Sequence, residues 1–116
     1  MIAVIFEVLP SAEGRAGYLE HAAHLKPLLE KMDGFISVER FQSLSNPDKL
    51  LSLSFWRDEE AVRGWRELGE HRATQAAGRA GIFDDYRLRV AAVVRDYGMF
   101  DREQAPPFHP PVERKQ

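Results

Sequence analysis

Two spacings of apolar residues, one of period two and one near 3.6, follow each other along this chain in an order that few folds can accommodate. Ile2 to Leu9 is β-branched and aromatic, and it is closed by Pro10, which cannot donate to a sheet ladder, so it reads as a first strand. Ser11 is placed to cap a helix with Glu13 in its first turn, and Tyr18, Ala22, Leu25, Leu29 and Met32 form its apolar stripe. Pro27 falls inside that stripe and removes a backbone bond, which predicts a kink near residues 23–27; Asp33-Gly34 ends the helix. Phe35 to Gln42 alternates, with Phe35, Ser37, Glu39 and Phe41 on one face and Ile36, Val38, Arg40 and Gln42 on the other. The turn residues Asn46-Pro47-Asp48 join it to Lys49 to Trp56, so the two segments predict a hairpin. Asp58 reads as the N-cap of a second helix with the stripe Ala61, Val62, Trp65 and Leu68, a break at Gly69 and a further helical piece over Glu70 to Arg79. Asp84 to Tyr97 alternates as a long fourth strand.

The order β-α-β-β-α-β predicts an α+β domain of ferredoxin-like topology, a four-stranded antiparallel sheet with both helices on one face. The first strand carries large apolar residues on both faces, Ile2, Val4 and Phe6 against Ala3, Ile5 and Leu9, where a one-sided sheet would turn polar residues outward. A second copy of the chain is the simplest cover, and sheet-on-sheet burial in a two-fold homodimer would remove on the order of 2,000 Å² or more from water. Residues 1–99 are expected to form the domain. Residues 100–116, with PPFHPP and the charged VERKQ, cannot build a core and are expected to form a Pro-rich tail that clasps the other subunit.

Composition narrows the partners. A chain of 116 residues sustains one core. Its 16 basic and 18 acidic residues are interspersed and leave a formal charge of -2, which offers no footprint for a phosphate backbone, so nucleic acid is not an expected partner. There is no cysteine, which removes disulfides, thiolate chemistry and thiolate metal sites together. The apolar start has no basic leader, and no stretch approaches about 18 consecutive apolar residues. A soluble, cytoplasmic protein with no membrane association is therefore expected.

Four stretches, EKMDGFISVERFQS, LLSLSFWRDEEAVRGWRE, EHRATQAAGR and DDYRLRVAAVV, resemble the antibiotic biosynthesis monooxygenase domain, and the likeness extends over roughly Met1 to Tyr97. A helix ending in glycine, a GF pair opening the second strand, an aromatic strand end before an acidic helix start, and a tryptophan followed by a histidine are the features shared. The resemblance implies a dimeric α/β barrel and, as activity, oxygenation of a small aromatic or quinol-like compound by dioxygen with no metal or flavin cofactor. Other members of this superfamily degrade haem or handle small signalling molecules. A non-catalytic binding dimer, an isomerase-type enzyme and a haem-binding protein on the same fold are thus the alternatives.

His71 is the candidate catalytic residue, because an imidazole exchanges protons near neutral pH, as forming a reactive substrate anion requires; the structural alternative is a histidine bonding backbone near the Gly69 break. Trp65, Trp56 and Phe41 are candidate walls for a planar substrate, with Trp65 also a natural core anchor on its stripe and Trp56, at a strand end, the more open of the two. His21 projects into the apolar arc of the first helix, either as a satisfied core histidine or to orient substrate. The His21-x-x-His24 spacing lacks the further ligands a metal would want. Arg40, Arg87 and Arg89 alternate with apolar neighbours, and Arg40 is a candidate for an anionic oxygen on substrate; ion pairing with Glu7, Glu39 or acids of a partner is the alternative. Haem-degrading relatives carry an asparagine on strand one and a histidine about ten residues after a helix-two tryptophan. Here Phe6 and Glu7 and then Gln75 stand at those places, so the proximal iron ligand is missing where the resemblance would put it.

Overall fold

The computed structural model describes residues 1–68 and 83–107. Strand β1 (Ile2–Pro10), helix α1 (Arg15–Glu30), strands β2 (Phe35–Gln42) and β3 (Leu50–Trp56), a second helix α2 seen over residues 59–68, and strand β4 (Phe83–Ala92) follow in the expected order. The sheet is antiparallel throughout with strand order β2-β3-β1-β4, so β1 lies between β3 of the hairpin and β4. This is the ferredoxin-like α+β arrangement. Among the described residues no helix is long and apolar enough to cross a membrane.

Directly opposed residues of antiparallel strands share a face, so the register sorts the sheet into two surfaces. Ile2, Val4, Phe6 and Val8 on β1 stand beside Trp56, Ser54, Ser52 and Leu50 on β3, and this surface takes the helices. Near one end Val8, Tyr18 and Leu50 form a buried cluster with Phe6 and Phe83 against it, joined by edge-on aromatic contacts of Phe83 with Phe6 at 5.9 Å and Tyr18 at 5.8 Å. Near the other end Leu29 of α1 and Ala61 and Val62 of α2 close over Trp56, with Ile2, Val4, Phe35, Val38 and Trp65 packed around them. The second surface, Ala3, Ile5 and Glu7 beside Phe55, Leu53 and Leu51, carries no helix among the described residues.

Three local expectations are revised. Phe35 was read on the face of Ser37 and Phe41, but a register shift between Phe35 and Ser37 inserts a residue, so Phe35 pairs with Trp56 and joins the helix-side core. Ser11 stabilises a turn ahead of the helix: its Oγ and carbonyl both accept from the Gly14 N–H, at 2.8 and 3.0 Å, and α1 starts at Arg15 and runs on through Pro27 to Glu30. Strand β4 ends at Ala92 although its alternation continues, because β1 starts at Ile2; the Val93 N–H reaches the Met1 carbonyl at 2.9 Å and no partner strand extends further. Beyond it the chain folds on itself, with the Asp96 N–H donating to Gln104 and the Arg102 guanidinium 5.1 Å above the Tyr97 ring.

The link between α1 and β2 is tied to the start of α2. Gly34 has φ +84, and a Cβ there would sit 2.6 Å from the Ala61 Cβ. The Arg57 N–H donates to the Gly34 carbonyl at 2.7 Å, while the Arg57 guanidinium binds Asp33 with two bonds, at 3.2 and 3.0 Å, and Asp58 at 3.1 Å. Asp58 in turn accepts the Ala61 N–H at 2.9 Å, the N-cap expected of it. Hydrogen bonds from Arg57 hold the Asp33 carboxyl below its ordinary value, and the Ala61 N–H, then Arg57, do the same for Asp58.

Two outcomes follow from this link. Gly34→Ala combines left-handed backbone strain with a backbone-proximal clash and is expected to cost about 2–4 kcal/mol, read as a lowered urea midpoint; an unchanged midpoint would contradict the close approach. Because Asp33 and Asp58 are lowered in the folded state, their contribution is present above the ordinary value of 3.8 and is lost as pH falls through the folded pKa. The melting temperature of the parent should therefore drop more steeply below about pH 4 than that of Arg57→Gln, a difference that high salt shrinks because the groups are exposed.

Candidate functional site

On the helix-side surface the two halves of the sheet are covered unequally. At the end of β3 the cover is complete: Trp56 is 0 % exposed, its indole N–H donates to Ser54 Oγ at 2.9 Å, and Phe35 meets it edge-on at 5.3 Å. Over β4 apolar surface is left open. Tyr86, Leu88 and Val90 alternate along that strand on the helix side, opposite Val8, Phe6 and Val4, and remain 60, 49 and 43 % exposed. Phe6 lies half-buried beside them, its ring 5.7 Å from that of Tyr86. Trp65 of α2 is half-exposed and stacked on Trp56 at 6.4 Å with 28° between the planes. A run of exposed apolar side chains between a helix and a sheet is the form a site for a flat apolar molecule takes.

The tryptophans therefore exchange the roles expected of them. Trp56 is the enclosed anchor and offers no free ring face to a ligand. Trp65, read as the core residue, keeps an accessible edge because Trp56 occupies the space beneath it. Phe41 lies opposite Leu51 on the helix-free surface, on the other side of the sheet from both tryptophans, so it cannot wall one cavity with them within a chain. Arg40 sits on the helix-side surface, opposite Ser52, with its Nε shielded from solvent and without a hydrogen-bond partner among the described residues. His21 is half-buried on α1 with a buried Nε2, whereas His24 points to solvent, 78 % exposed and 4.0 Å from Glu20. His71 and Gln75 lie outside the described residues. Tyr86, Leu88 and Val90 were legible only as one face of a strand; nothing in their spacing distinguishes a covered face from an open one.

A separate shallow recess of about 160 Å³ opens between the ends of β1 and β4, lined by Glu7, Val8, Leu9, Lys49, Asp85, Tyr86 and Arg87. It is charged and smaller than sites that enclose drug-sized ligands. Glu7 accepts from Arg89 at 3.2 Å and faces Lys49 at 3.6 Å, and the Arg89 hydrogen bond, with help from Lys49, holds its carboxyl below the usual range. Among the described residues no group of three or more His, Cys, Asp or Glu side chains converges as metal ligands would.

The fold is that of a ferredoxin-like domain, here with exposed apolar side chains along β4. The family model described as antibiotic biosynthesis monooxygenase matches residues 1–77, and the chain belongs to that family. It is similar to the jasmonate monooxygenase ABM of Pyricularia oryzae, 47% identical over 93 residues, which are 80% of this chain and 43% of that protein. It is also similar to the uncharacterized protein YqjZ of Bacillus subtilis, 33% identical over 93 residues, 80% of this chain and 79% of that protein. The chain thus spans less than half the length of the first relative and most of the second. Among solved structures, a proposed antibiotic biosynthesis monooxygenase from Deinococcus radiodurans superposes with a TM-score of 0.74 at 19% identity, covering 85% of this chain and 98% of that one, a likeness of fold.

The inverted tryptophan roles have a measurable consequence. Trp56→Ala should cost about 3–5 kcal/mol in urea denaturation, and Trp65→Ala clearly less, since part of that ring is already in water. Equal losses would show that the two rings are equally part of the core.

Proposed function

We propose that this protein is a cofactor-independent monooxygenase for a small aromatic or quinol-like compound, seated on the apolar surface of Tyr86, Leu88, Val90 and Phe6 with Trp65 at its border. The observation that carries the reading is this open apolar strip on the helix side of the sheet in a member of the monooxygenase family. The aromatic rings and aliphatic side chains there suit a planar, apolar ring system. His71 is assigned the role of proton acceptor on sequence grounds, three residues beyond the last described turn of α2. It would take a proton from an activated C–H of the substrate; the carbanion adds dioxygen, and loss of water from the resulting peroxide leaves a ketone. One oxygen atom enters the product, the other leaves as water, and the substrate supplies all the electrons. Arg40 and His21, both with shielded nitrogens on the helix side, are the groups proposed to hold oxygen atoms of the substrate.

The name of the Pyricularia relative adds jasmonate to the substrates worth offering. The domain is proposed to span residues 1–99, with 100–116 as a tail against a second subunit, and the working form is a two-fold dimer that covers the helix-free surface of the sheet. The test is oxygen consumption against hydroquinones, anthrones, catechols and jasmonate with a metal chelator present. One dioxygen consumed per ketone formed from an anthrone, with at least a hundredfold loss in His71→Ala, is the expected result. Tight binding of a panel member without oxygen uptake would instead assign a binding protein, and turnover without oxygen an isomerase-type enzyme. A Soret band on titration with haemin, lost in His21→Ala or His71→Ala, would assign haem binding.

A further inference from the structure

On the helix-side surface, successive rows across β4, β1, β3 and β2 run Val90–Val4–Ser54–Val38, Leu88–Phe6–Ser52–Arg40 and Tyr86–Val8–Leu50–Gln42. Two of the polar residues in these rows have an internal use. Ser54 accepts the Trp56 indole N–H at 2.9 Å, and Gln42 donates to the Pro47 carbonyl at 2.8 Å. Ser52 and Arg40 stand directly opposite each other and are both half-buried, yet neither side chain makes a hydrogen bond or an ion pair with a described residue. The Arg40 Nε is also shielded from water. A hydroxyl and a guanidinium kept on a packed face without partners cost stability, and such groups call for something that satisfies them. The row they end begins with the exposed Leu88 and the half-buried Phe6, so it grades from apolar at β4 to polar and cationic at β2.

We infer that Ser52 and Arg40 form the acid end of the ligand site, so that the compound this protein takes is an apolar ring system bearing a carboxylate. The inference rests on the apolar strip proposed above as the ligand's seat and narrows its occupant from a neutral molecule to an anion. A guanidinium presents its Nε–H and one Nη–H as parallel donors along one edge, which matches the two oxygens of a carboxylate. The shielded Nε of Arg40 belongs to that edge, and an ion pair removed from bulk water is stronger than an exposed one. Ser52, one strand nearer the strip, adds a hydroxyl donor, because directly opposed side chains lie about 5 Å apart at Cβ. From Ser52 to Leu88 is two strand spacings, about 10 Å, which a fused two-ring skeleton with a short acid side chain spans. Arg87 and Arg89 cannot serve the same ligand: opposite Glu7 and Ile5, they face the other surface of the sheet.

The experiment is calorimetric titration of the full chain at neutral pH with 1-naphthylacetate and, separately, with its methyl ester, which keeps the rings and removes the charge. The parent is expected to bind the acid at least tenfold more tightly than the ester. Arg40→Gln should abolish that preference and Ser52→Ala reduce it severalfold, with ester affinity unchanged in both and circular dichroism showing that the fold is kept. Arg87→Gln, on the other surface, should retain the full preference. Equal binding of acid and ester by the parent, or a preference that survives in Arg40→Gln, would overturn the acid end while leaving an apolar site in place. A preference lost in Arg87→Gln but kept in Arg40→Gln would move the acid to the charged recess at the ends of β1 and β4 and equally overturn the inference. Binding of neither compound would overturn the apolar seat and the acid end together. Because the readout is affinity, the result is decided whether or not a bound compound consumes oxygen, so a failed oxygenation and a failed acid preference are told apart.

Discussion

The enclosure of Trp56 is the contact on which the rest of this structure hangs. The residue ends β3, pairs across the sheet with Ile2 on one side and Phe35 on the other, and receives Leu29 from α1 and Ala61 and Val62 from α2. Five of the six elements meet on or beside one side chain. A ring of this size contributes several kcal/mol when its whole surface leaves water, and its only polar atom is satisfied by Ser54, so nothing is forfeited by the burial. Gly34 and Arg57 serve the same junction: the glycine lets the chain pass within contact of Ala61, and the arginine ties the loop before β2 to the cap of α2.

That junction also divides the sheet unequally. Leu29 of α1 and Ala61 and Val62 of α2 close over the β3 half of the sheet, whereas Tyr86, Leu88 and Val90 of β4 stay exposed. The packed core thus lies over one half of the sheet and the exposed apolar side chains over the other. Such a division suits a fold that keeps one scaffold while the lining of its site varies.

Much of the architecture was legible because hydrophobic period reports local geometry directly. The alternation in β1 and β3, the turn at Asn46-Pro47-Asp48 and the Asp58 cap all stand where spacing and side-chain chemistry place them. Two kinds of feature were not legible. The shift at Phe35 depends on a single inserted residue that no periodicity marks, and it moves that ring from one surface to the other. The end of β4 depends on where its partner strand begins, since an isolated edge makes no ladder however well its side chains alternate. For the site, Trp65 and Arg40 were legible as residue types suited to a ligand, whereas the seclusion of Trp56 and the stranding of Phe41 on the far surface were not.

The sequence by itself determined the order and kind of the elements, the family to which the chain belongs, and the glycine and acids that stop one helix and start the next, because each depends on neighbours a few positions away. Only the tertiary structure decided which tryptophan is enclosed and which strand keeps its apolar side chains exposed. Those outcomes depend on side chains brought together from distant parts of the chain, and burial is a property of that assembly that no single residue carries.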